Sequence, residues 1–178
     1  MIKLHPEQQY VDDIARKLGI EYTVLKHDRA TVTCAEKAGL LGWNVERVVK
    51  ALYFHTGNFD DALIGIITPE FGVLDHRKII SKALGMDTKT AYRYSTNGFM
   101  PSGMSKGTCT PFPTESAMEK EIGQLVIITH PAVVEHVVDI SLGDHFDEPH
   151  KTSMHISYDG IHKILKEKFG DRIVKYTN

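Results

Sequence analysis

Cysteine is scarce in this chain: Cys34 and Cys109 are the only two among 178 residues, and neither belongs to a CxxC pair. They could close one bridge at most, which argues against a disulfide framework or a cysteine-built zinc site and makes reduced thiols the expectation. Long apolar runs are missing too. VVKALYF and LVIIT fall far short of the roughly 20 residues that cross a bilayer, and the opening MIKLHPEQQY lacks the apolar core of a signal peptide. A cytoplasmic protein with no membrane partner is expected. Nor is there an excess of one charge: 21 Lys and Arg against 23 Asp and Glu leave a formal charge of -2. That balance does not suit a protein that coats nucleic acid by bulk positive charge, and no DNA partner is expected; only a local basic patch stays open. GxxxxGK[ST], GxGxxG, HExxH and GxSxG are all absent, which sets aside the nucleotide, zinc-protease and serine-hydrolase classes they mark. Repeats, low-complexity tracts and Pro/Ser-rich linkers are absent as well, so residues 1–178 read as a single domain.

What is present is the composition of a globular protein, 42% hydrophobic and 25% charged. Pro6 to Leu18 places Tyr10, Val11, Ile14, Ala15 and Leu18 on one helical face, stopped by Gly19. Glu21 to Lys26 alternates as a short strand. Thr33 and Glu36 make a capping box that opens a helix to Leu40. Val48 to His55 and Ala62 to Thr68 read as a hairpin around TGNFDD. Asp75 caps a helix through Leu84, with Ile79, Ile80, Ala83 and Leu84 inward, Arg77, Lys78 and Lys82 outward, and Gly85 as the stop. Beyond a long loop come strands at Leu125 to Thr129, His136 to Ser141 and Met154 to Ile156, then a helix from Tyr158 to Phe169. Five to seven strands mixed with four or five helices predict an α+β (mixed α/β) fold: one compact domain with a curved, barrel-like mixed sheet flanked by helices.

The segment from Tyr92 to Glu115 is unlike the rest. STNGFMPS runs into GMSKGTCTPF, eighteen residues dominated by Gly, Pro, Ser and Thr, and a loop of this length in a compact domain is more often functional or disordered than idle. It holds Cys109, for which a thiol nucleophile with a histidine base and a small packed side chain are both open readings. Lys50, in VERVVKALYF, falls on a strand face with Val48, Leu52 and Phe54. It is either a cation aimed into a pocket toward a phosphate or polar ligand, or an edge-strand lysine that reaches water. Arg77, Lys78, Lys82, Lys89, Arg93 and Lys106 could line a path for a phosphate backbone, although each alone also fits a solvated face. Among ten histidines, His136, His145, His150 and His155 are the densest set, but their spacings do not put two ligands on one helical turn, so surface histidines and no metal are expected.

Taken together, VVKALYF with its lysine, the hairpin, the LDHRKIISKALG helix and GMSKGTCTPF resemble the YbaK / prolyl-tRNA synthetase-associated domain family of aminoacyl-tRNA deacylases. KHDRATVTCAEKAG resembles that family's EHxxxxTxEEAA segment, and HVVDISLGD before a helix resembles its closing elements, so the likeness covers most of the chain. The family's VxKTLxF strand falls on Lys50, with Ala51 replacing the usual threonine. Its TGYxxGGxSPFG motif falls on Gly103 through Phe112, with the GxxxP from Gly107 to Pro111. Met104, Lys106, Thr108, Cys109, Thr110 and Pro113 depart from that pattern, and the acidic residue common after the next strand has no counterpart near Thr129.

The resemblance implies a hydrolase that needs no cofactor or metal. An aminoacyl ester is already activated, so the enzyme must orient a water or a ribose hydroxyl and stabilise a tetrahedral oxyanion. Lys50, Gly103, Gly107 and Thr108 would be the catalytic set, with backbone donors each lowering the barrier by about 3 kcal/mol. Met104, Cys109, Thr110, Pro111, Phe112 and His27 would contact substrate. The small side chains suit an alanyl, cysteinyl, seryl or prolyl group, in a space that Phe99, Met100 and Met104 could shape. Implied partners are the tRNA acceptor end and an aminoacyl-tRNA synthetase; the assembly would be a monomer or homodimer. With 178 residues leaving no room for a synthetase catalytic region, action in trans is expected. A tRNA- or synthetase-binding module without catalysis is the alternative, and a Cys109-dependent thiol hydrolase a third reading.

Overall fold

The computed structural model describes residues 6–31, 33–58, 60–69, 75–94, 101, 104, 109–129, 137–141 and 152–176, the strand at 137–141 by its backbone. A 3-10 turn (Pro6–Gln8) leads into α1 (Gln9–Leu18), which ends on Gly19 in the left-handed region at φ 64°, its amide returning to Ala15 and Arg16. β1 (Tyr22–Lys26) follows, then α2 (Cys34–Leu41). The predicted capping box is formed: the Glu36 amide donates to Thr33 Oγ1 and the Thr33 amide to Glu36 Oε2, both at 3.1 Å. A 3-10 turn (Val45–Arg47) enters β2 (Val49–Phe54), which forms the predicted hairpin with β3 (Leu63–Pro69). α3 (His76–Leu84) is capped by Asp75 and ends on Gly85, and a short α4 (Thr88–Ala91) comes directly after it.

The second half comprises α5 (Glu115–Lys120), β4 (Leu125–Thr129), β5 (Val137–Ser141), β6 (Thr152–Ser157), α6 (Tyr158–Phe169) and β7 (Ile173–Tyr176). Seven strands and six α-helices among the described residues bear out the mixed α+β class. The helix count exceeds the expected four or five because α4 and α5 are too short to show a full amphipathic period.

The expected barrel is not found. The strands form two separate sheets, β1-β6-β5 and β2-β3-β4-β7. β5 lies beside β2, but the two do not pair among the described residues, and the Val45–Arg47 turn packs against both β5 and β3. Closure requires that missing ladder. The four-stranded sheet is mixed, because β2 and β3 are antiparallel whereas β4 runs parallel to both β3 and β7.

Alternation gives this sheet two buried faces. Val49, Ala51 and Tyr53 of β2 point with Leu63, Ile67, Leu125 and Ile127 into the core formed with α1, α5 and α6. Leu52 and Phe54 point the other way, with Ile64, Ile66, Val126 and Ile128, against α3 and α4. Burying each large side chain contributes about 1.5–3 kcal/mol, so both helical layers are needed to hold the sheet.

Candidate functional site

The glycine- and proline-rich segment reaches the core at its C-terminal end. Thr110 and Phe112 are fully buried, and Met104 and Cys109 pack half-buried against the core on the Tyr53 face. Tyr94, before the segment, packs in the other core. Tyr94 and Met104 therefore lie against opposite faces of the four-stranded sheet. Gly103, Lys106, Gly107 and Thr108 lie outside the described residues.

Three buried side chains hold residues 110–113 by their carbonyl oxygens. The Tyr53 hydroxyl donates to the Thr110 oxygen at 2.5 Å, Gln8 Nε2 to the Phe112 oxygen at 2.7 Å, and the Tyr10 hydroxyl to the Pro113 oxygen at 2.9 Å. The Phe112 amide turns inward to Thr110 Oγ1 at 3.3 Å. Thr114 then caps α5 by accepting from the Ala117 amide. Burial pushes the phenols of Tyr10 and Tyr53 well above their ordinary range, with smaller contributions from Tyr53 and Glu115 at Tyr10 and from Cys109 at Tyr53. Both phenols stay protonated near neutrality and keep the hydrogen that each bond requires.

Tyr53 has room because its cross-strand partner is Gly65. A Cβ there would lie 3.0 Å from Ile127 Cδ1 and 3.2 Å from Tyr53 Cε1. Around the same segment, Phe169 meets Tyr10 edge-on with ring centres 5.3 Å apart, Lys168 pairs with Glu115 at 3.0 Å, and Ser116 bonds Glu7. Arg172 closes the far end of α5 by donating to the carbonyls of Met118, Ile122 and Gly123. Tyr10, Gln8 and Tyr53 were missed as site residues. The available signal was a tyrosine at a position that periodicity assigns to the core, since a buried phenol calls for an acceptor.

The other predicted residues lie elsewhere. β2 is an edge strand of its sheet, and Lys50 is exposed there, on the Leu52 and Phe54 side and across from Thr68. Of the two readings of its setting, the edge-strand lysine is the one observed, and no buried ammonium has to be explained. Lys50 thus emerges on the face opposite Tyr53. His27 is buried just past the end of β1, in the other sheet. His136, His145 and His150 lie outside the described residues, and His155 packs on Trp43, whose ring Arg47 also covers at 3.7 Å. Among the described residues no three His, Cys, Asp or Glu side chains converge as metal ligands, and no helix is long and apolar enough to cross a membrane. A cavity of about 550 Å³ lies between α6 and β7, lined by Asp159, His162, Lys163, Lys166, Asp171, Ile173 and Val174. It takes no residue from the 109–113 segment.

No family model matches the chain, and no curated protein matches it. Solved structures do. The chain superposes on the hypothetical protein APE2540 with a TM-score of 0.59 at 16% identity, covering 95% of this chain and 99% of that one. A candidate trans-editing enzyme for prolyl tRNA synthetase gives a TM-score of 0.59 at 13% identity, covering 99% of each chain. A scaffold protein used for computational grafting of linear epitopes gives 0.57 at 13%, covering 98% and 99%. At these identities the likeness is one of fold, and it extends over essentially the whole chain. The YbaK-like fold that the sequence motifs implied is the fold observed.

Proposed function

We propose that this protein is a trans-acting aminoacyl-tRNA deacylase that hydrolyses the ester of a tRNA mischarged with a small amino acid of the alanyl, cysteinyl, seryl or prolyl type. The observation that carries the reading is the binding of residues 110–113 through three of their carbonyls, in a chain that shares its fold with a candidate trans-editing enzyme. Pro111 and Pro113 have no N–H, and the Phe112 amide is already engaged by Thr110 Oγ1. This end of the loop is thus an anchor with few amide donors of its own. The oxyanion donors would come from the residues before it, where Gly103, Gly107 and Thr108 permit close approach of backbone to substrate.

The chemistry asks little of the side chains. Water, oriented with the help of the adjacent ribose hydroxyl, attacks the ester carbonyl carbon, and negative charge develops on the carbonyl oxygen. The tetrahedral species collapses by breaking the bond to the ribose oxygen, which leaves with the proton the water gives up, so that free amino acid and the tRNA hydroxyl result. Preorganised amides stabilise that charge without a nucleophilic side chain. Cys109, half-buried beside Tyr53, would border the aminoacyl group together with Met104. Lys50, which emerges on the opposite face at the edge of the sheet, would hold a phosphate of the tRNA rather than the aminoacyl group, and an exposed ammonium can do so without first losing a buried partner.

The test uses purified protein with a chelator present and tRNAs charged with labelled alanine, cysteine, serine or proline, the residual ester being followed over time. Hydrolysis of one or two esters is expected, with kcat/KM lowered roughly ten- to hundredfold by Lys50→Ala through loss of a charge-assisted contact. Cys109→Ala should change which ester is preferred more than the rate. No hydrolysis of any ester would overturn the reading and favour a binding module of the same fold.

A further inference from the structure

The strongest unassigned feature is the outer surface of α3 and α4. Their inner residues, Ile79, Ile80, Ala83, Leu84 and Ala91, cover the Leu52 and Phe54 face of the four-stranded sheet. Residues 75–94 carry five cations against two carboxylates, in a chain that carries 21 against 23 overall. Both carboxylates act as helix caps: Asp75 accepts from the Lys78 amide and pairs with its ammonium, and Asp87 accepts from the Thr90 amide and hydroxyl. The positive charge is thus concentrated here while the remainder of the protein is net acidic.

An aromatic ring lies within that charge. Tyr92 is 57% exposed, whereas its neighbours Ala91 and Tyr94 are buried. The Arg77 guanidinium lies 3.9 Å from the centre of the Tyr92 ring, and its Nε has no hydrogen-bond partner among the described residues. A guanidinium on an exposed ring presents the flat surfaces on which unpaired bases stack. Around this pair, Lys82, Lys89 and Arg93 are exposed; Arg93 pairs with Asp61 at 3.6 Å, an exchangeable surface contact, whereas no ion-pair partner of Lys89 is found among the described residues. Lys50 emerges on the same side of the sheet, since His76 of α3 stacks on Phe54, two alternating positions along β2 from Lys50.

We infer that the outer surface of α3 and α4 is an RNA-docking face, on which an unpaired nucleotide stacks at Arg77 and Tyr92 while Lys82, Lys89 and Arg93 meet backbone phosphates. Charge alone would serve an acidic polypeptide equally; the exposed stack is what selects a nucleic acid, because every base has a π-face. Where this rests on the deacylase reading, the stacked nucleotide belongs to the acceptor end of the tRNA. The face then guides that end toward Lys50 and the edge of the sheet.

The test is binding of an uncharged RNA hairpin, with and without a single-stranded 3′ tail, by fluorescence anisotropy across a salt series. Neutralising three to four phosphates should give a slope of log K against log salt of roughly -3. Tyr92→Ala should weaken the tailed hairpin about tenfold and the blunt one little, with Tyr92→Phe restoring affinity. Lys82→Glu combined with Lys89→Glu should weaken both hairpins and flatten the slope. Lys163→Glu with Lys166→Glu, on α6, should change neither. Unchanged affinity in the α3–α4 variants would overturn the inference, as would equal competition by polyglutamate. The two proposals fail separately. RNA binding through this face without ester hydrolysis removes the deacylase and leaves the docking face; hydrolysis whose KM ignores Tyr92 and Lys89 does the reverse.

Discussion

On one face of the four-stranded sheet the covering chain is held through its carbonyl oxygens by Tyr53, Gln8 and Tyr10. On the other, two helices cover the sheet with aliphatic side chains and turn their cations outward. The first face is rich in buried polar groups, each of which has to be satisfied, so a small change there should propagate into stability. The second separates the two tasks within each helix: the inner side chains pack, the outer ones stay in water. Changes to its outer surface should alter binding and leave folding alone. A loop that must hold a fixed backbone belongs on the first kind of face and a surface that must meet a charged partner on the second.

This contrast can be broken most forcefully at Phe112, which is fully buried in the first core. Phe112→Ala should cost about 3–5 kcal/mol in urea unfolding; a loss under 1 kcal/mol would mean that the segment is not anchored as described. Smaller effects are expected at the Tyr53 bond. Tyr53→Phe leaves the buried Thr110 carbonyl without its donor and should cost about 1–3 kcal/mol. Gly65→Ala, which presses a methyl toward Ile127 and the Tyr53 ring, should cost a similar amount, about 1–3 kcal/mol, through overpacking. Equal stability in both variants would show that the ring and its hydroxyl are not under constraint.

The same phenols make the anchored face sensitive to alkali. Their pKa values are raised in the folded protein above the ordinary 10.0, so above that pH the unfolded chain releases protons that the folded chain retains. Stability should be level up to about pH 9 and fall as pH rises further, and Tyr10→Phe with Tyr53→Phe should reduce the steepness of that fall. The smallest effect on stability belongs to the other face: Lys50→Ala should leave the urea midpoint where it was while lowering turnover. A shifted midpoint would assign Lys50 a structural task that its exposure does not suggest.

Much of the framework was legible because its causes are local. Thr33 and Glu36 lie three residues apart and cap the helix they open, Gly19 and Gly85 end helices in a conformation that other residues rarely adopt, and β2 and β3 meet across a short turn. β7 was not foreseen: Ile173 to Tyr176 is only four residues long and follows a helix directly. Among the predicted site residues, Met104, Cys109, Thr110, Pro111 and Phe112 gather at the anchored face. Lys50, assigned to the same site from its motif, emerges on the opposite face, because period-two alternation turns it away from Tyr53.

The sequence by itself determined the four longer helices, most strands, the α+β class and the place to look, since these follow from periodicity, capping and turn residues within a few positions of one another. Only the tertiary structure decided that the strands divide into two sheets, that Tyr94 and Met104 lie against opposite faces of one of them, and that Tyr53, Gln8 and Tyr10 hold residues 110–113. Those bonds join residues 57, 104 and 103 positions apart. No local pattern encodes such a pairing, because each donor finds its acceptor only after the core has collapsed around both.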